Sequence, residues 1–305
     1  MTFALHHLLS ERASRQPERE AIRLRDESIN YGSLERASNQ LAHAMIESGV
    51  RPGDRVGIYL HKSISAVTSL FAVLKTGACY VPVDANAPGR RLLEIARQSE
   101  FRSLVTSKKL YGGLDEHLAG GAPMDSIFFL DGLPEEPVPV NRYTLDDIWQ
   151  TSDTEAPPIN VTDQDLAYIL FTSGSTGTPK GVMLSHLNAL TFVNWGVTTF
   201  GINGEDRLSN HAPFNFDLSV FDIFVAIKAG ASISLVPEGL AVFPLQLSTF
   251  IQDQKITVWY SVPMVLTLLQ ARGKLEERDL TSLRWVLFAG EVFPTKHLRT
   301  LMEKL

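Results

Sequence analysis

The chain has 305 residues, 44% hydrophobic and 20% charged, which is enough for a large buried core in one domain or two. A formal charge of −6 disfavours nucleic acid as the main partner. No apolar run approaches the ~18 residues of a membrane span, and the first ten residues lack the basic flank and long apolar core of a secretory signal. The single cysteine, Cys79, excludes an internal disulfide and fits a reducing compartment, so the cytoplasm is the expected location.

Residues 4–14 read as a helix with Leu5, Leu8 and Leu9 on one face, and 21–24 alternate as a strand. Ser33 reads as the N-cap of a helix, although Arg36 stands where a capping box has Glu. That helix carries Leu34, Ala37, Leu41, Ala44 and Met45 at helical spacing and stops at Gly49. A turn at 52–54 leads to a strand at 56–60, an apolar helix over 63–75 closed by Gly77, and a strand at 78–83. Cys79 lies in that apolar strand and reads as core packing rather than as a nucleophile. A helix over 88–98 and a strand at 103–106 follow. The Gly- and Pro-rich stretch 110–139 holds one apolar strand, 127–130, and 151–158 reads as a linker or surface loop.

An apolar strand at 166–171 turns abruptly into Thr172, Ser173, Gly174, Ser175, Thr176, Gly177 and Thr178, then Pro179-Lys180-Gly181 and a second strand, 182–184. Ser185 can cap a helix running to about residue 199. Beyond it come helical patterns at 216–228, 245–254, 263–270 and 295–305. They alternate with strand patterns at 231–236, 258–260 and 285–288. Strands alternating with helices of this length predict an α/β fold with largely parallel sheets.

The Thr172–Gly181 segment suits phosphate. Glycines let the backbone approach an anion and turn amides toward it, the hydroxyls of Thr172, Ser173, Ser175 and Thr176 add donors, and Lys180 adds a point charge. A plain surface loop has the same composition. The Walker pattern is absent, because Lys180 is followed by Gly181 and a strand rather than by Ser or Thr and a helix, so an ordinary P-loop NTPase is disfavoured.

The run T-S-G-S-T-G-T-P-K-G resembles the phosphate-loop signature of the adenylate-forming superfamily, which includes acyl-CoA synthetases, luciferases and the adenylation domains of nonribosomal peptide synthetases. L-K-T-G-A-C-Y-V-P-V-D at 74–84 is similar to the second core motif of the peptide-synthetase adenylation domains, departing from it at Thr76 and Cys79, and 29–34 is more distantly similar to their first. These two matches bear on fold; read physically, 74–84 is a helix end, a Gly cap and a buried strand. The resemblance implies the large domain of adenylate-forming enzymes over residues 1–305. It also implies that the family's N-x-Y-G-P-T-E segment, its ribose-binding Asp and its small C-terminal lid domain with a catalytic lysine lie outside this sequence.

Asp217, in F-N-F-D-L-S, reads from the residues alone as a helix N-cap, since an acid among apolar neighbours is costly to bury unpaired. F-D-x-S also resembles the fourth core motif of amino-acid adenylation domains. There the resemblance implies that this carboxylate holds the substrate's α-ammonium group, which acyl- and aryl-CoA ligase substrates lack. Carrying the family's pocket over position by position adds Leu218, Phe221, Tyr260, Leu287 and Ala289. Apart from Asp217 this lining is apolar with one phenol, which favours a small apolar amino acid, although each residue taken singly could simply pack a core. The order Asp, Leu, Phe, Tyr, Leu, Ala, with V-W-Y-S-V-P and F-A-G-E-V-F-P, is similar to the subgroup that loads proline onto a carrier protein.

The expected activity is therefore adenylation of an amino acid, with proline preferred, by ATP and Mg²⁺. Transfer to the phosphopantetheine thiol of a carrier protein follows, with Lys180 stabilising phosphate charge. The alternatives are an acyl- or aryl-CoA ligase on the same fold, and an incomplete, inactive ligand-binding fragment. His186 reads as structural or solvent-facing, and His211 lies near the expected nucleotide pocket. Neither has a Cys or carboxylate at metal-ligand spacing. Asp146-Asp147 and the charged run at 276–279 read as solvated faces.

Overall fold

The computed structural model describes residues 2–112, 114, 124–135, 138, 140–150, 154–172 and 179–305. In chain order its principal elements are α1 (Leu5–Arg15), β1 (Glu20–Leu24), β2 (Glu27–Asn30), α2 (Tyr31–Glu47), β3 (Arg55–Tyr59), α3 (Ile64–Lys75), β4 (Cys79–Pro82), α4 (Gly89–Ser99), β5 (Ser103–Thr106), α5 (Lys108–Tyr111), β6 (Ser126–Phe129), β7 (Asn141–Thr144), α6 (Leu145–Gln150), β8 (Leu166–Thr172), β9 (Lys180–Ser185) and α7 (His186–Phe200). They continue with β10 (Arg207–Asn210), the short α8 (Leu218–Val220), a π-helical turn (Phe221–Val225), α9 (Ala226–Ala229), β11 (Ser232–Leu235), α10 (Pro244–Asp253), β12 (Val258–Ser261), α11 (Pro263–Arg272), β13 (Trp285–Phe288) and α12 (Thr295–Lys304).

The chain forms two units, Met1–Arg19 with Tyr31–Phe192, and Glu20–Asn30 with Val193–Leu305. The first holds a seven-stranded sheet in the order β7-β6-β5-β3-β4-β8-β9, parallel except for the β8–β9 pair. The second holds a six-stranded sheet in the order β13-β12-β10-β11-β1-β2, parallel except for β1–β2. The predicted class, α/β with largely parallel sheets, is the one observed.

In the first unit the strands β4, β5 and β6 bury Val81, Leu104, Ile127 and Phe129 against α4 residues such as Leu92 and Ala96. Ser63 caps α3 by accepting the Ala66 amide at 3.1 Å. Gly77 ends the turn after α3 at φ +77°, where Pro52 and Ile159 leave no room for a Cβ. In the second unit Trp259 anchors a core with Leu247, Ile251, Leu266 and Leu301, its indole donating to Ser261 Oγ at 2.9 Å. Asp206, almost fully buried, takes Arg284 Nη1 at 2.6 Å and Thr257 Oγ1 at 2.7 Å, tying the starts of β10, β12 and β13 together.

Several expectations change. Ser33 is not an N-cap: α2 starts at Tyr31, and the amides of Tyr31 and Gly32 bond to the carbonyls of Arg19 and Pro17 at 2.9 and 2.8 Å. Ser33 instead accepts from Arg36 Nη2 at 3.0 Å within the first turn. Strands β2, β7 and β10 and helix α6 carried too little apolar periodicity to be read. β7, N-R-Y-T, runs along the sheet edge with its first two residues exposed, so pairing rather than burial defines it. Asp147 belongs to a cap, accepting from the Thr144 amide and hydroxyl at 2.8 Å each, and these bonds hold its carboxyl below the usual range. Glu276, Glu277 and Asp279 are exposed as expected, with local partners Lys304, Lys274 and Thr281.

Candidate functional site

The phosphate-type segment belongs to the first unit. β8 and β9 form an antiparallel hairpin whose last pair is Thr172 with Lys180, and Thr172 Oγ1 donates to the Lys180 carbonyl at 3.4 Å. Ser173, Gly174, Ser175, Thr176 and Gly177 lie outside the described residues. Lys180 is exposed at the base of the hairpin, directly after the buried Pro179. β8 runs parallel to β4, and Tyr80 and Tyr168 stack across that pair at 5.2 Å. Thr172 and Lys180 therefore stand at the end of the sheet toward which its parallel strands point, where α/β sheets gather ligand loops.

The 74–84 motif has a structural task. Lys75, buried at the end of α3, donates to Ser38 Oγ at 2.8 Å and Asn39 Oδ1 at 2.6 Å and pairs with Glu35 Oε2 at 2.6 Å, all on α2. Burial lowers its pKa to about 8 against the opposing pull of Glu35. Cys79 is core packing, its thiol pushed up to about 12 by burial. His186 is buried and structural: its Nδ1 accepts the Leu5 amide at 3.1 Å, and burial lowers its pKa to about 4.

All six expected pocket residues fall in the second unit. Asp217 is exposed just before α8 and makes no side-chain capping bond. The predicted helix over 216–228 begins only at Leu218, because the Ser219 hydroxyl bonds back to the carbonyls of Phe216, at 2.6 Å, and Phe214, at 3.3 Å. It then opens into the π-helical turn Phe221–Val225, a distortion frequent where a side chain must be re-aimed at a site. Phe221, 1% exposed, meets the Tyr260 ring edge-to-face at 5.4 Å. Tyr260 pairs in parallel register with Leu287, so both side chains share one sheet face. Ala289 follows two residues after Leu287, half-buried beyond the end of β13, and Leu218 is buried at the first position of α8.

Charge links this cluster. The Tyr260 phenol is pushed up to about 12, first by burial and then by the negative charges of Asp217 and Asp222. Asp222 was not singled out from the sequence. It lies in the π turn, 1% exposed, and accepts from Asn210 Nδ2 at 3.1 Å. An acid inside V-F-D-I-F was the available signal, since such a residue needs a partner. His211 is half-buried with its ring tilted against Trp259 at 5.5 Å. A polar cleft of about 790 Å³ opens elsewhere, in the first unit, where β3, β5 and β6 begin. Its Arg55 and Arg102 are already paired with Glu100 and Asp125.

The AMP-binding enzyme family matches residues 9–305. An L-proline--[L-prolyl-carrier protein] ligase of Pseudomonas fluorescens is 39% identical across 97% of this chain and 58% of its own. A Streptomyces coelicolor protein of the same name is 36% identical across 91% of this chain and 52% of its own. The chain thus spans little more than half the length of these relatives. The anthranilate CoA ligase AuaEII, solved in complex with anthranoyl-AMP, superposes with a TM-score of 0.90 over 99% of this chain and 57% of its own, at 22% identity, a likeness of fold alone. With the family matched from residue 9 to residue 305, the chain belongs to the AMP-binding enzymes.

Proposed function

We propose that this chain is the amino-acid- and nucleotide-binding part of an enzyme that adenylates a small apolar amino acid, proline by preference, and passes it to a carrier protein. The observation that carries the reading is the grouping of Asp217, Phe221 and Tyr260, an exposed carboxylate beside an apolar wall. A carboxylate with no capping duty can accept an α-ammonium group, and the lining residues Leu218, Phe221, Tyr260, Leu287 and Ala289 carry no charge to pair with a charged side chain. The names of the two relatives at 39% and 36% identity support proline and a carrier-protein acceptor.

In the reaction, an oxygen of the amino acid's carboxylate attacks the α-phosphorus of ATP. The bond to the bridging oxygen breaks, pyrophosphate leaves, and aminoacyl-AMP forms. Asp217 would hold the amine, while Leu218, Phe221, Tyr260, Leu287 and Ala289 exclude larger or charged side chains. Thr172 and Lys180 would face the β- and γ-phosphates together with Ser173, Gly174, Ser175, Thr176 and Gly177. The exposed ammonium of Lys180 fits an anion of that size. Mg²⁺ would neutralise triphosphate charge, and it is commonly held by phosphate oxygens, waters and one or two carboxylates. The phosphopantetheine thiol of the carrier protein would then take the acyl group from AMP. Among the described residues no helix is long and apolar enough to cross a membrane, and the reading places the enzyme in the cytoplasm with its ATP and carrier protein.

Amino-acid-dependent ATP–pyrophosphate exchange by the protein tests this. Exchange is expected with proline and is expected to fall at least ~100-fold in Asp217→Ala. Exchange untouched by Asp217→Ala would reject the amino-acid reading in favour of an acyl- or aryl-CoA ligase. A strong response to another amino acid with none to proline would reject the substrate.

A further inference from the structure

Gly196 lies in the body of α7, where glycine costs about 1 kcal/mol relative to alanine. Its φ is not in the left-handed region, so backbone freedom does not explain it. Space does. A Cβ there would stand 2.9 Å from Phe221 Cε2, 3.0 Å from Val225 Cγ2 and 3.3 Å from Phe221 Cδ2. The π-helical turn is pressed against α7 at the one residue without a side chain, and the Phe221 ring fills the slot.

The last residue of α7, one turn after Gly196 and on the same face, packs against that ring as well. Phe200 meets it edge-to-face at 5.7 Å. Phe200 is itself held by Trp195 at 5.4 Å and Trp285 at 5.3 Å, and the Trp285 indole donates to the Phe200 carbonyl at 2.8 Å. Tyr260 on β12 is another ring against Phe221, and it is half-buried. A methyl group at position 196 therefore has to displace Phe221, one of the residues assigned to the amino acid's pocket.

We propose that Gly196 is a positioning residue that sets the width of the amino-acid pocket through Phe221 without touching the substrate. The proposal rests on the pocket assignment made above. It makes the helix–π-turn spacing, and not the pocket lining alone, a determinant of which amino acid is accepted.

The test is pyrophosphate exchange with glycine, alanine, proline and leucine in the natural protein and its Gly196→Ala, Phe221→Leu and Gly196→Ala/Phe221→Leu variants. Gly196→Ala is expected to lower kcat/KM for proline roughly tenfold, mainly through KM, and to shift the alanine-to-proline ratio roughly tenfold toward alanine, the scale of one methylene in a pocket. The double variant is expected to rank the amino acids as Phe221→Leu alone does, since leucine leaves room for the new methyl. An unchanged ranking in Gly196→Ala, or an equal loss for every amino acid, overturns the proposal. Should Gly196→Ala not fold, a double variant ranked differently from Phe221→Leu alone overturns it. If the unaltered protein exchanges with no amino acid, the pocket assignment itself fails and this inference with it.

Discussion

His186 Nδ1 accepts the backbone amide of Leu5 at 3.1 Å, joining the residue after β9 to the first turn of α1 across 181 positions of sequence. The residue before that helix, Ala4, has no side chain that could cap it, so the imidazole satisfies an amide that would otherwise be orphaned. The bond requires a neutral ring with its proton on Nε2. Around it stand His6, with its ring 6.1 Å away, His7, and the carboxylates of Asp165 and Asp163.

This arrangement predicts acid sensitivity. The folded chain keeps His186 neutral down to about pH 4, whereas an unfolded histidine protonates near 6.5. Between those values the unfolded state binds more protons, so stability falls as pH falls, by up to about 1.4 kcal/mol per pH unit from this group. Burial lowers His6 and His7 as well, in the same sense. His186→Ala is expected to lose about 1–2 kcal/mol at pH 7.5 and to show a shallower decline between pH 6.5 and 4 in urea unfolding. Equal pH slopes in the two proteins would count against the assignment.

Lys75 and Glu35 form the charged contact between α3 and α2. Removing one member strands the other among buried polar groups, so Lys75→Ala is expected to cost about 3 kcal/mol. A double-mutant cycle with Glu35→Gln should give a coupling energy of at least about 1 kcal/mol in denaturant unfolding, and a purely additive cycle would contradict the pairing.

Asp217 separates function from stability. Because it is exposed and makes no capping bond, Asp217→Asn should change unfolding free energy by less than about 0.5 kcal/mol while removing amino-acid-dependent exchange. A large stability loss would return it to the N-cap role.

Tyr260 reports on the same carboxylate. Its phenol should ionise near pH 12 in an ultraviolet titration, identified by its absence in Tyr260→Phe. Asp217→Asn removes one of the negative charges that raise it and should bring the transition down. No movement would mean that the two side chains do not share a field.

The parallel α/β class, the two strands of the β8–β9 hairpin and the motifs on which the proposed site rests were legible because each depends on local chemistry. Apolar runs such as that of β8, the Gly-Ser-Thr segment after it, and an acid between Phe216 and Leu218 announce themselves within a few residues. Where the apolar signal was weak, as in N-R-Y-T of β7, pairing with β6 made the strand, and pairing partners are not written next to each other. His186 could not be read as a cap for α1, nor Lys75 as the anchor of α2, since each depends on a partner distant in sequence.

From sequence alone came the residue types of the proposed site: Thr172 and Lys180 proposed for phosphate, Asp217 for an amine, and Leu218, Phe221, Tyr260, Leu287 and Ala289 for an apolar lining. Tertiary structure alone decided how that lining is held. The π-helical turn seats Phe221 against Gly196, and the aromatic packing of Phe200 and Trp285 keeps it there. The physical reason is that a residue's type is set at its own position, whereas the width of a space is set by every atom around it, and those atoms come from segments far apart in the chain.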